Sequence, residues 1–305
     1  MTVEGGLPAV DRVSGVDRYA SAVEASKAGW SQGAETVYVV SGEVFPDALS
    51  ATPAAASDDA PILLVQRGGI PESVQAELDR LSPASIIIVG GTDSVSPEVE
   101  SALSEQAEVS RIAGDNRYET SREIAAAAFP EGSSVAVVAA GANFADALSA
   151  GAAVGSDGPV VLVDGTQTGL DEATTALLTE LGSDAIDVVG GNLSVSDGIL
   201  ADAKQIATAE RLGGIDRYDS SRMINAAFFD TADRVLLATG VTFPDALAGS
   251  ALAARVDAPL FTVPGTCVPA KTLEQIAQLG ATHVTLLGGE LTLTPAVGEL
   301  TACAG

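Results

Sequence analysis

The chain has one histidine, three lysines, two cysteines and few aromatic residues. Each scarcity excludes something. With His283 alone, a Ser-His-Asp or Cys-His arrangement would rest on a single residue, and that residue has no counterpart elsewhere in the chain. It is read as an incidental histidine at a strand edge. The two cysteines, Cys267 and Cys303, show no C-x-x-C spacing, which argues against a structural zinc site. No metal or cofactor site is expected. A disulfide between them would tie the C-terminal tail to the preceding segment, would be worth roughly 3–4 kcal/mol in the chain-entropy model, and would mark an oxidising compartment. Two unrelated free thiols are the alternative. No apolar run approaches the length of a bilayer span, so no membrane insertion is expected. No signal-peptide pattern is visible, since Met1-Thr2-Val3-Glu4-Gly5-Gly6 leads almost directly into the first recognisable motif. Either a cytoplasmic protein or a mature or trimmed chain fits that start.

Positive charge is also scarce. The formal net charge is −26, which makes nucleic acid and anionic membrane surfaces poor partners. The excess of acid fits a salt-rich habitat or a solubility device. What arginine there is lies in one repeated place: Arg12 and Arg18, Arg111 and Arg117, Arg211 and Arg217, with Arg122 and Arg222 following in two cases. The ordinary reading is an ion pair with the neighbouring Asp17, Asp115 or Asp216. The sharper one is anion recognition by the planar guanidinium fork.

That clustering follows from a repeat. R-x-x-G-x-x-R-Y occurs at 12–19, 111–118 and 211–218. Each occurrence is followed by F-x-D-A-L, at 45–49, 144–148 and 243–247, and then by a Pro-led apolar run at 61–65, 159–163 and 259–263. A Gly pair closes the series, at Gly90-Gly91, Gly190-Gly191 and Gly288-Gly289. Four markers in one order, three times over, mean one domain-sized unit copied three times. The boundaries fall near 1–106, 107–207 and 208–305, with no Pro- or Ser-rich linker between copies.

The middle copy serves as template. Residues 108–113 alternate like a strand, 117–128 read as a helix, and 134–140 form a near-continuous apolar run. An Ala-rich helix opens near Asp146, a buried strand covers 159–163, and a helix over 170–181 ends at Gly182. A strand at 185–189 and a helix capped by Ser196 or Asp197 complete it. Strands alternating with helices at short connections predict parallel α/β sheets covered on both faces. Three equal units suggest a triangle, although an open row fits as well.

The same markers locate candidate chemistry. Asp47, Asp146 and Asp245 are expected to cap the helices they open; the alternative is a carboxylate at the C-terminal sheet edge, where ligands of such sheets bind and a sugar hydroxyl would suit it. The Gly pairs lack the G-x-G-x-x-G spacing and a following P-loop lysine, so they read as tight turns. No acidic pair stands out in one copy alone, as a single hydrolytic site would require. Three near-copies favour multivalent binding over catalysis.

This motif series resembles the type 2 cell-wall-binding repeat family over nearly the whole chain. The resemblance implies a flavodoxin- or toprim-like α/β fold for each copy, packed as an intramolecular pseudo-trimer. It implies an exported, non-catalytic anchor at the Gram-positive cell surface, in S-layer-like and other wall proteins, often fused to an effector domain. The partner would be an anionic wall polysaccharide or teichoic-acid-like polymer, held in grooves formed by the repeats. The positions matching the family pattern are Arg18, Tyr19, Asp47, Arg117, Tyr118, Asp146, Arg217, Tyr218 and Asp245, with Arg122 and Arg222 as added candidates; Val23 stands in the first copy where those two arginines stand in the others. A wall hydrolase with a site between repeats and a self-assembling surface protein are the alternative readings.

Overall fold

The computed structural model describes residues 8–304; the opening stretch read for a leader lies outside them. The first repeat contributes β1 (Ala9–Val13), α1 (Arg18–Gly29), β2 (Thr36–Ser41), α2 (Ala51–Ser57), β3 (Ile62–Val65), α3 (Glu72–Leu81), β4 (Ser85–Val89) and α4 (Pro97–Leu103). The second contributes β5 (Glu108–Ile112), α5 (Arg117–Ala128), β6 (Val135–Ala140), α6 (Ala145–Val154), β7 (Val160–Val163), α7 (Glu172–Leu181), β8 (Ala185–Val189) and α8 (Asp197–Ile206). The third contributes β9 (Thr208–Leu212), α9 (Arg217–Phe228), β10 (Arg234–Thr239), α10 (Pro244–Arg255), β11 (Leu260–Val263), α11 (Ala270–Leu279), β12 (His283–Leu287) and α12 (Pro295–Gly298). No helix among the described residues is long and apolar enough to cross a membrane.

Local chemistry explains these elements. Asn116 accepts hydrogen bonds from the backbone N–H groups of Tyr118 and Glu119 and so starts α5; Asp216 does the same for α9, and Asp17 accepts from Ala20 N–H at the start of α1. The Asp171 side chain caps α7, and Gly182, in the left-handed region at φ 61°, ends it. Strands β3, β7 and β11 are buried along their whole length, which is why they read as unbroken apolar runs.

The strands form three four-stranded parallel sheets, ordered β3-β2-β4-β5, β7-β6-β8-β9 and β11-β10-β12-β1. The fourth strand of the first and second sheets comes from the next repeat in sequence. The first strand of the chain completes the third sheet, pairing with β12 so that Arg12 lies opposite Leu286. Sequence repeats and sheets are therefore offset by one strand, and the exchange closes a ring. The arrangement is the triangle, not the open row. The exchanged strands are sheet edges, partly exposed and carrying charge at Asp11, Glu108 and Glu210, a composition that discourages edge-to-edge association.

At the centre of the ring, α2, α6 and α10 pack against one another. Their Ala, Gly and Ser content permits close approach: the hydroxyls of Thr52 and Ser250 lie 2.6 Å apart. Phe45, Phe144 and Phe243, one from each unit, form a triangle of rings with centroids 5.7, 5.6 and 6.3 Å apart. One continuous buried cluster draws on all three units. Cys267 and Cys303 are bonded, fastening the segment after α12 to the loop before α11, where Val268 and Ala302 also form a β-bridge.

Asp187 is a buried carboxylate in β8, paired in register with Glu210 of β9. Burial first, then the charge of Glu210, pushes it up to about 6 from an ordinary 3.8. The folded state thus holds this proton more tightly than the unfolded chain does. Its stabilising contribution is complete below the ordinary value and is lost as pH rises through the raised one. Asp187→Asn is expected to raise the melting temperature near pH 7, with the gain shrinking near pH 4, as read by thermal denaturation at both pH values.

Candidate ligand grooves at the junctions between units

The carboxyl ends of the parallel strands open onto the junctions between units, the edge at which open α/β sheets bind ligands. At the second–third junction, the loop from β6 into α6 and the Gly190-Gly191 turn after β8 meet the turn after β9 and the start of α9. They enclose a groove of about 420 Å³ that contains Asp146 and Arg217. The third–first junction holds its counterpart, also about 420 Å³, with Asp245 and Arg18. At the first–second junction, the turn carrying Asp47 packs against α5, which begins at Arg117.

The first arginine of each motif is structural, but its partner is not the neighbouring acid that local sequence suggests. Arg12, Arg111 and Arg211 donate to the carbonyls of Gly288, Gly90 and Gly190 at 2.6, 2.6 and 2.9 Å. They therefore clip the exchanged strand onto the Gly turn of the receiving sheet. Asp17 and Asp216 are occupied with helix capping, and Asp115 points its charge into solvent.

The second arginine binds within its own repeat and reaches across the junction. Arg18, Arg117 and Arg217 donate through Nη1 to the carbonyls of Gly42, Gly141 and Gly240. The guanidinium of Arg217 lies 5.6 Å from the ring centre of Phe144, and that of Arg18 lies 6.0 Å from Phe243, each phenylalanine belonging to the preceding unit in the ring. Among the described residues, no other acceptor takes the remaining N–H groups of Arg217, which lines the groove.

The F-x-D carboxylates do not cap their helices. Phe144 and Phe243 occupy the N-cap positions of α6 and α10, and neither cap is made by a side chain. The aspartate sits inside the first turn and projects across the sheet end toward the Gly turn. There Gly190 has φ 99°, and a Cβ at that position would come 2.7 Å from Asp146 Oδ2. Asp47 accepts a hydrogen bond from Ser94 Oγ at 2.8 Å. Burial pushes Asp146 up to about 6, against the lowering influence of Arg217 and the Ser220 hydroxyl. Its Oδ1 is buried with no hydrogen-bond partner. Burial also raises Asp245, against Ser21, Thr292 and Arg18. The structure thus places Arg217 and Asp146 in one groove and Arg18 and Asp245 in another, each across a junction and close enough for the arginine to lower the carboxylate's pKa.

The remaining candidates lie elsewhere. Tyr19, Tyr118 and Tyr218 press on Gly42, Gly141 and Gly240, where an added Cβ would come 2.7, 2.7 and 2.8 Å from the ring. Tyr118 lines a separate cleft of about 350 Å³ inside the second unit. Arg122 lies beside that unit's α7, 3.3 Å from Thr174 Oγ1 and 3.8 Å from Asp171. Tyr218 and Arg222 line the corresponding cleft of the third unit, with Arg222 paired to Asp219 at 3.0 Å. The candidates therefore divide into a junction set and a set within units. The residues that complete the junctions, the Phe triangle and the hydroxyls of Ser94, Ser220 and Thr292, were not singled out from sequence. Their signal was recurrence: the phenylalanine opens each F-x-D, Ser94 and Thr292 stand three residues after a Gly pair, and Ser220 stands three residues after the second arginine of its motif.

A ring of three strand-exchanged α/β units, with grooves at the carboxyl edges of the second–third and third–first junctions, defines a repeat-built binding module. The chain belongs to the cell wall binding domain 2 family, whose model matches residues 12–100, 111–200 and 211–298. It is 31% identical over 261 residues to an amidase enhancer of Bacillus subtilis, covering 85% of this chain and 35% of that protein. It is 29% identical over 294 residues to the N-acetylmuramoyl-L-alanine amidase LytC of the same organism, covering 96% of this chain and 57% of that one. Among solved structures, Cwp6 from Clostridium difficile superposes with a TM-score of 0.86 at 30% identity, over 97% of this chain and 48% of that one. Cwp8 from the same organism gives 0.85 at 30% identity, over 95% and 51%. The chain thus spans between a third and three-fifths of the length of these relatives. It is a cell-wall-binding module, and its family places it at the wall or cell surface.

Gly240→Ala would crowd the Tyr218 ring and the Arg217 side chain together. It is expected to cost about 1–3 kcal/mol, measured as a lowered urea midpoint. An unchanged midpoint would show that this contact gives way freely.

Proposed function

We propose that the chain is a non-catalytic anchor that holds an exported protein to the outside of the wall by gripping a polysaccharide or teichoic-acid-like polymer in its junction grooves. One observation carries this reading: an arginine and an aspartate line the same groove at the carboxyl edge of two junctions, with matching residues at the third, so the chemistry is replicated and not concentrated in one place. Linked weak sites on one rigid ring gain avidity on a repeating polymer. His283, the one imidazole, begins β12 and is exposed, at the opposite end of the strand from the groove edge. The disulfide supports an oxidising, extracytoplasmic location. The greater length of the relatives supports a neighbouring effector domain in the whole protein. With a net charge of −26, contact with an anionic polymer would be confined to the local arginine pockets.

The test is co-sedimentation of the purified chain with Gram-positive cell wall, before and after acid extraction of secondary polymers. Binding is expected to be lost on extraction. Arg217→Ala combined with Arg18→Ala is expected to weaken it at least tenfold, the effect of removing about 1.4 kcal/mol, with circular dichroism confirming the fold. Binding that survives extraction would move the ligand to peptidoglycan. A clearing zone in a zymogram would contradict the non-catalytic reading.

A further inference from the structure

The three junctions share a floor and differ at the rim. Two residues beyond each Gly pair stand Leu193, Leu291 and Asp93. Directly after the turn glycine of each opening motif stand Ile215, Val16 and Asp115. Leu193 and Ile215 line the second–third groove and are 96% and 90% exposed; Leu291 and Val16 line the third–first groove and are 102% and 99% exposed. At the first–second junction both equivalent positions are exposed aspartates, and Asp93 pairs with Arg67. A lone exposed aliphatic residue means little. Two exposed aliphatic residues lining one groove, an arrangement found twice and replaced by two acids at the equivalent positions of the third junction, are a recognition feature.

We infer that the two aliphatic-rimmed grooves each recognise an acetamido sugar, and that the acid-rimmed junction does not. This rests on the wall-polymer reading above and narrows it. An acetamido group presents a carbonyl acceptor, an N–H donor and a methyl group within one planar unit. Each groove offers the complement. Arg217 or Arg18 supplies N–H donors to the carbonyl. Asp146 or Asp245 supplies a carboxylate to the N–H, and Asp146 Oδ1 is buried without a partner. The aliphatic pair would cover the methyl group and remove it from water together with their own exposed surface. A phosphate in the same place would lie against the aspartate and gain nothing from the rim. At the first–second junction, Asp93 and Asp115 would leave the methyl group uncovered and add acid to an already acidic chain.

The test is a ¹⁵N-resolved NMR titration of the full chain with N,N′-diacetylchitobiose, using cellobiose as the matched sugar lacking acetamido groups. Shifts are expected at Leu193, Ile215, Val16 and Leu291 and not at Asp93 or Asp115, with cellobiose producing none. Leu193→Asp with Ile215→Asp is expected to abolish the response at the second–third groove alone. Asp93→Leu with Asp115→Ile is expected to create a third responding groove. These side chains are in solvent, so the fold should be untouched. The inference is overturned by no response to diacetylchitobiose, by an equal response to cellobiose, by responses at all three junctions of the unsubstituted chain, or by rim variants that change nothing. Any of these alongside retained wall co-sedimentation removes the acetamido assignment alone; loss of wall binding as well removes the anchoring reading on which it rests.

Discussion

Each repeat gives its first strand to the sheet of its neighbour, and the closing strand of the third sheet is the first of the chain. The exchange is held at two levels. Backbone ladders run along β4–β5, β8–β9 and β12–β1, and the opening arginine of each motif then binds the carbonyl of the receiving Gly turn. A unit cut out at its sequence boundaries would carry an unpartnered strand and lack the strand it needs. The ring is therefore one cooperative body, and its shape follows from strand pairing as much as from the apolar surface buried at its centre.

The grooves are a consequence of that exchange. A borrowed strand ends where the receiving sheet ends, so the turn and helix that follow it are delivered to the neighbour's carboxyl edge. This accounts for the wording of the R-x-x-G-x-x-R-Y motif. Its first arginine locks the strand to one unit, its turn crosses the junction, and its second arginine reads the strand end of the next unit while stacking beside a phenylalanine of the last. Asp146 and Asp245, held up in pKa by burial, line the same grooves as Arg217 and Arg18. Arginine is scarce in this chain and is spent largely on this one arrangement.

Much of the architecture was legible in the sequence because its signals are local. The apolar run 159–163 announced a buried strand, Gly182 ended α7, and Ser196 capped α8. Nonlocal pairings were not legible. Arg111 binds the Gly90 carbonyl, in the turn that follows the neighbouring strand β4, and also pairs with Glu100; nothing adjacent to residue 111 in sequence indicates the carbonyl. Asp115 looked like a partner because it is adjacent, whereas the equivalent positions, Val16 and Ile215, carry no charge at all. Asp146 looked like a cap because it opens a helix, but the chain enters that helix in a helical conformation at Phe144 and places the aspartate two residues past the cap position. The division of the candidates into a junction set and a within-unit set separates even adjacent residues of one motif: Arg217 lines the junction groove and Tyr218 the cleft within the third unit.

Cooperativity across the exchanged strands is the claim on which the rest depends, and Trp30 reports on it directly. It is the only tryptophan, it is buried in the first unit, and its indole N–H donates to the Asp59 carbonyl at 2.7 Å. Urea unfolding followed by Trp30 fluorescence should coincide with unfolding of the whole chain followed by far-ultraviolet circular dichroism, in midpoint and in slope. Separate transitions, with the first unit unfolding apart from the other two, would contradict a ring held by exchanged strands.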